Sequence, residues 1–178
     1  MINRGGGMQS DEKFEIVDEA GNVTGIALRS ECHRNPELLH RAVHVLVITG
    51  TGELVLQLRR PDKDVQPDKW DSSVGGHIQP GESVEAAARR EAAEELGLSD
   101  LALEFLYTYI WRTDRESELI TTYRVQSDGP FTPQPEELAD LRRWSSAEIE
   151  GTIGSGVFTP NFEHEWQMYC NYCNTADG

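Results

Sequence analysis

Cysteine is scarce in this chain. Three occur, Cys32, Cys170 and Cys173, an odd number with no disulfide framework, so the expected setting is a reducing cytoplasm. Long apolar runs are missing as well. No stretch approaches the ~20 residues needed to cross a bilayer. Residues 1–10 hold Gly5, Gly6 and Gly7 and no apolar segment, which excludes a signal peptide or anchor there and predicts a flexible tail. Basic residues are few: Lys and Arg total 16 against 31 Asp and Glu, a formal net charge of −15. That balance disfavours a nucleic acid polymer or an anionic membrane as partner. It leaves a small phosphorylated substrate open, because bound cations reverse the local sign. Repeats and low-complexity blocks are absent. The rest is ordinary: 38% apolar and 26% charged residues among 178 suit one globular domain over residues 11–178, as a monomer or a homodimer.

Residues 76–98, GHIQPGESVEAAARREAAEELGL, organise the remainder. Gln79-Pro80-Gly81 is turn chemistry, since proline presets one dihedral and glycine tolerates the other. From Ser83 strong helix formers run for more than three turns, and Gly97 supplies a stop. Glu91, Glu94 and Glu95 stand at i, i+3 and i+4, so their carboxylates share a face. Ala86, Ala93 and Leu96 fall roughly opposite, a small-residue stripe suited to packing on a sheet. Like charges at that spacing repel by about 0.2–0.5 kcal/mol per pair. A hard divalent cation would relieve the repulsion, and oxygen-only ligands suit Mg2+ or Mn2+. The alternative is a solvated acidic face.

Elsewhere the pattern predicts a short hairpin from residues 14–17 and 23–28, then a polar connector over residues 30–40 with one helical turn. A buried strand follows over residues 42–48, with a return over 53–59. A Pro-bearing loop precedes a short strand over residues 70–74 that delivers Gly75 and Gly76. After the acidic helix come antiparallel strands over 101–111 and 119–125, a last strand over 141–144, and helices over 146–150 and 162–172. Strands and helices do not alternate regularly, so the fold class is α/β in the α+β sense, a mixed sheet with helices against it.

The spacing Gly76, five residues, Glu82, seven residues, Arg90-Glu91-Ala92-Ala93-Glu94-Glu95-Leu96-Gly97-Leu98 resembles the Nudix box at every fixed position. Ala92 is a soft departure, a larger aliphatic residue being more usual there. So many fixed positions make the pattern far more specific than a lone glycine-rich loop. The resemblance implies the α/β/α sandwich of Nudix proteins and a metal-dependent hydrolase (MutT-like) that cleaves a diphosphate linkage in a nucleoside diphosphate derivative or related small molecule. Glu94 and Glu95 would hold Mg2+ or Mn2+, with Glu91 as ligand or base. Gly75 and Gly76 would let the backbone approach the substrate. Arg90 would orient the glutamates, Glu82 would fix the loop, and Arg59 and Arg60 either bind substrate phosphate or solvate a strand end.

The resemblance extends over residues 14–162 to the branch holding type 1 isopentenyl-diphosphate isomerase. Its metal histidines match His33, His40 and His77, and its metal glutamates match Glu116 and Glu118. A second divalent ion, Mn2+ or Zn2+, is therefore implied, to anchor a substrate phosphate or brace the fold. Two isomerase positions do not match: Gly75 stands where its cysteine would be, and Asn161 near its shielding aromatic residue. Allylic isomerisation adds a proton on one face and removes one on another, so losing the cysteine removes half the chemistry. Hydrolysis is the reading retained; the isomerase and a non-catalytic nucleotide-binding module are the alternatives. Among smaller signals, Cys170 and Cys173 have the spacing of half a zinc site but lack a second pair. His44 reads as a satisfied interior histidine, His164 as a surface residue, and Trp111 as core or base-stacking.

Overall fold

The computed structural model describes residues 11–63 and 65–176, so the tail expected over residues 1–10 lies outside the described residues. β1 (Lys13–Val17) and β2 (Val23–Leu28) form the expected hairpin, its turn tied by the Asp18 carboxylate accepting from the Ala20 and Asn22 amides at 2.9 Å. α1 (Arg29–Cys32) is the expected single turn. β3 (Leu39–Ile48) is the axis of the sheet. Along one edge it runs parallel to β8 (Ser117–Gln126) over its whole length; on the other, residues 42–45 pair antiparallel with β6 (Val74–His77). β4 (Leu54–Arg59) returns antiparallel from the end of β3 and carries β5 (Trp70–Asp71) and β9 (Leu138–Trp144), while β7 (Glu104–Arg112) flanks β8. The sheet is mixed and open, as the irregular order of elements implied.

Alternation along β3 builds the layers. Val43, Val45 and Val47 point to one face and pack with Ala87, Ala88, Ala92 and Leu96 of α2 (Val84–Leu96). Leu46 points to the other and joins Ile149 of α3 (Ser146–Thr152) with Phe162 and Trp166 of α4 (Pro160–Ala176). Helices thus cover both faces of the sheet, the sandwich that the resemblance implied. No helix among the described residues is long and apolar enough to cross a membrane.

Several boundaries move. β3 begins at Leu39 rather than at Ala42, because Leu39 and His40 already pair with Ser117 and Glu118. His40 is therefore a strand residue and not part of the connector. The strand expected over residues 70–74 is two short ones, with Gly75 and Gly76 inside β6. On α2, Ser83 is the N-cap, accepting from the Ala86 amide, and Gly97 closes the helix in the left-handed region at φ 69°. The expected alanine stripe is misphased: Ala86 and Ala93 are exposed, while Ala87, Ala88 and Ala92 are buried. Ala92, where a larger residue is more usual, is wholly enclosed against the valines of β3.

Candidate active site

The phase of α2 turns Glu91 and Glu95 towards the sheet. Glu95 is 8% exposed, and its Oε2 accepts from the Gly75 amide and from Nε2 of Gln57 on β4, both at 3.2 Å. Burial pushes its carboxyl up to about 8, helped by the Glu91 charge and opposed by the Gly75 amide. Glu91 lies over Gly76 so closely that any Cβ on residue 76 would overlap its carboxyl group, so glycine there is what lets Glu91 keep this position. Burial raises the Glu91 carboxyl as well, while Arg90 pulls it back. Glu94 stands on the solvent side. Arg90 ties Glu91 and Glu94 to Glu82 and to the backbone of β6. Nε and Nη2 clamp both Glu82 oxygens at 2.9 Å, Nη1 reaches Glu91 at 2.8 Å and Glu94 at 3.2 Å, and Nη2 also donates to the His77 carbonyl at 3.0 Å. Glu82 in turn accepts from the Gln79 amide at 3.0 Å, tying down the turn. The orienting part expected of Arg90 and the loop-fixing part expected of Glu82 are what these contacts can do.

Across β6 the five residues of the implied second site come together. His40 (β3), His77 (β6) and His33 (after α1) bring one ring nitrogen each within 4.8 Å of one another, a group that could hold a metal ion. Glu118 Oε1 lies 3.3 Å from His77 Nε2 and 3.8 Å from His40 Nε2, and Glu116 Oε2 lies 3.6 Å from His33 Nε2. His40 Nδ1 faces the Leu38 carbonyl at 3.2 Å. That contact fixes the proton on Nδ1 and leaves Nε2, buried and without a hydrogen-bond partner, as a lone pair for a ligand. Burial, then the neighbouring His77, lowers His33 to about 4 and lowers His40 too, so both are neutral at pH 7, the form that binds metal. Burial opposes ionisation of Glu118, but His77 and His40 outweigh it and hold the carboxyl at about 2. Phe14 of β1 stacks on His77 at 4.3 Å and on His40 at 5.2 Å, walling one side with a hydrocarbon ring.

Both clusters line one cleft of about 1530 Å³. Gly75, Gly76, Arg59, Trp111 and Asn161 line it too. Arg59 is partly committed, donating from Nε to the Val65 carbonyl at 3.1 Å and from Nη1 to Asp71 at 3.3 Å. Arg60 is held by Asp62 and the Pro135 carbonyl. Asn161, on the first turn of α4, lines the cleft and accepts from the Tyr109 hydroxyl at 2.8 Å. Trp111 is half-buried against His164, which is exposed as expected. Cys170 and Cys173 sit one turn apart on α4; among the described residues no third metal-ligating side chain joins them.

His44 is the buried interior histidine expected from the sequence, but its partner was not foreseen: Nδ1 meets Oε2 of Glu165 on α4 at 3.0 Å. Glu165 is wholly buried and also accepts from Ser72 Oγ at 2.5 Å and Thr122 Oγ1 at 2.6 Å. A glutamate between Phe162 and Trp166 on the apolar stripe of α4 was the signal available for it.

A carboxylate cluster behind a glycine strand stands beside a histidine–carboxylate group in the same cleft, and the three histidines could hold a metal ion. Comparisons with known proteins give the class. The model of the NUDIX domain matches residues 38–162. An uncharacterised Nudix hydrolase of Yersinia pestis is 35% identical, the match covering 93% of this chain and 90% of that protein. An isopentenyl-diphosphate Delta-isomerase of Nocardia farcinica is 37% identical over 82% of this chain and 87% of its own. Among solved structures, DR0079 of Deinococcus radiodurans superposes with a TM-score of 0.77 at 25% identity, covering 88% of this chain and 98% of that one. The chain belongs to the Nudix family, and its enzyme class is that of the Nudix hydrolases.

Proposed function

We propose that the protein hydrolyses a diphosphate linkage in a small molecule, a nucleoside diphosphate derivative or a related compound. The observation that carries this is the α2 cluster. Glu95, buried with its carboxyl raised to about 8, and Glu91, held against Gly76 and also raised by burial, form a carboxyl pair that a bound cation would draw into its ionised form. Such a donor set fits Mg2+ or Mn2+, with Glu94 and Glu95 as ligands and Glu91 as ligand or base. A divalent ion bound there supplies a Lewis acid for a phosphoryl oxygen and makes water a better nucleophile. The chain's own parts do the rest. Arg90 holds Glu91 and Glu94 in place, the glycine backbone of β6 admits the phosphates at close range, and Glu91, its carboxyl raised by burial, is set to take a proton.

A second metal at His33, His40, His77, Glu116 and Glu118 fits the same cleft, and the mixed nitrogen and oxygen donors favour Mn2+ or Zn2+. The same five residues favour the isomerase reading, as does the similarity to the Nocardia protein. Against it stand Gly75, with no group to move a proton, and the Asn161 amide in place of an aromatic shield. The test is a panel of diphosphate-linked compounds with Mg2+, read by released phosphate, alongside isopentenyl diphosphate read for its dimethylallyl isomer. Cleavage of at least one panel member without isomerisation is expected. Isomerisation above a metal-only blank, with the panel silent, would overturn the reading.

A further inference from the structure

The cleft is acidic, and most of its cations are already committed. Arg90 spends its guanidinium on Glu82, Glu91, Glu94 and the His77 carbonyl, and Arg59 donates to Asp71 and the Val65 carbonyl. A diphosphate entering beside Glu91, Glu95 and Glu118 needs donors from the protein as well as from any metal. His44 is the buried side chain built to be one. Its Nδ1 is fixed by Glu165, and Glu165 is itself locked by Ser72 and Thr122. Burial works against a charge on the ring, but Glu165 beside it wins and raises His44 to about 9. None of the hydrogen bonds among the described residues uses Nε2, and the ring lines the cleft. Nε2 is thus left to whatever enters the cleft.

Gly75 explains why Nε2 has room. It faces His44 across the β3–β6 pair, and a Cβ on residue 75 would stand 3.3 Å from Cδ2 and 3.5 Å from Nε2 of that ring. On the other side of the sheet the same residue's amide donates to Glu95. One residue of bare backbone therefore separates the carboxylate cluster from the His44 ring.

We propose that His44 contacts the substrate, its Nε2–H donating to an oxygen of the bound diphosphate, with Glu165 as the positioning residue that holds the ring. This rests on the reading of the cleft as a diphosphate hydrolase site. It also makes Gly75 and His44 one unit, since the side chain that the isomerase carries at the position of Gly75 would crowd the imidazole.

The experiment uses the full chain with Mg2+ and imidodiphosphate, a diphosphate that resists cleavage, and measures its affinity by calorimetry for wild type, His44→Gln and Glu165→Gln, with a melting curve for each. Loss of a charge-assisted donor is expected to weaken binding about tenfold or more in His44→Gln and by less in Glu165→Gln. A structure of the wild type with the same two additives should place a probe oxygen within ~3.2 Å of Nε2. That structure decides the matter should His44→Gln fail to fold. Unchanged affinity in a folded His44→Gln, no probe oxygen within hydrogen-bond reach of Nε2, or no binding by the wild type each overturns the inference. Cleavage of the diphosphate panel separates the two failures: with cleavage intact only the His44 inference falls, and with the panel silent the hydrolase reading falls too.

Discussion

Glu95 and Glu165 are buried on opposite faces of one sheet, and the protein treats them in opposite ways. Glu165 has an imidazole and two hydroxyls directed at its oxygens, and its carboxyl is held below the ordinary range: burial opposes the charge, but His44, Ser72 and Thr122 prevail. Glu95 has one backbone amide and one side-chain amide, both at 3.2 Å, with another glutamate beside it, and its carboxyl rises to about 8. Burial thus yields an internal ion pair in one case and a raised carboxyl without a cationic partner in the other. The difference lies in the donors, and it separates a carboxylate that the fold keeps ionised from one whose charge the fold disfavours.

The largest expected effect tests the disfavoured one. Glu95→Gln should lower turnover by ~10²-fold or more, since loss of a metal ligand removes several kcal/mol of transition-state stabilisation. The fold should survive, because the metal-free protein already holds Glu95 in its protonated form at pH 7 and glutamine is its near match. Steady-state rates and a melting curve on the same preparation check this; full activity in the folded variant sinks the assignment. The ionised one should respond in the reverse sense. Glu165→Ala strips a buried pair of one partner and should cost about 3–5 kcal/mol of stability by denaturant titration. A loss within 0.5 kcal/mol, the scale of an ordinary surface change, would mean the network is idle.

The histidine cluster offers a third comparison, because it too lacks an internal counterpart for His40 Nε2. Elemental analysis of purified wild type is expected to find a transition metal that a His40→Ala, His77→Ala double variant has lost. Equal metal content in both ends the second-site proposal.

What was legible in the sequence was whatever the pattern carried locally. The acidic helix, its cap at Ser83 and its stop at Gly97 were written in spacing and propensity. Alanine blurred the phase: with Ala at 86, 87, 88, 92 and 93, only Val84 and Leu96 could show which side meets the sheet. The start of β3 was hidden because Leu39-His40-Arg41 looks like polar connector, and only pairing with Ser117 and Glu118 makes it strand. The five residues of the histidine group were named by family likeness, not by spacing; their gathering depends on three strands and a turn that meet only in the fold. His44 and Glu165, 121 positions apart, share no sequence period at all.

The smallest effect is a slope, and its sign follows from the same contrast. His44 stands at about 9 in the fold against an ordinary 6.5, so its stabilisation is complete below 6.5 and is lost as pH rises through 9. Glu95 stands at about 8 against 4.5, so the fold favours its protonated form too; that contribution is complete below 4.5 and is lost as pH rises through 8. Glu165, held low, contributes above its ordinary value and loses that only on acidification. Between pH 6 and 9 the two raised groups act together, and metal-free protein should lose stability throughout that window. Glu95→Gln removes one of them while leaving His44 untouched, so its denaturation midpoint should fall less steeply from pH 6 to 8 than that of wild type. Mg2+ needs the ionised carboxylate, and so its stabilising increment on wild type should be larger at pH 8.5 than at pH 6 and largely absent in the variant. Parallel slopes for wild type and Glu95→Gln would show that Glu95 ionises as readily inside the protein as outside it. The contrast between the two buried glutamates would then be wrong.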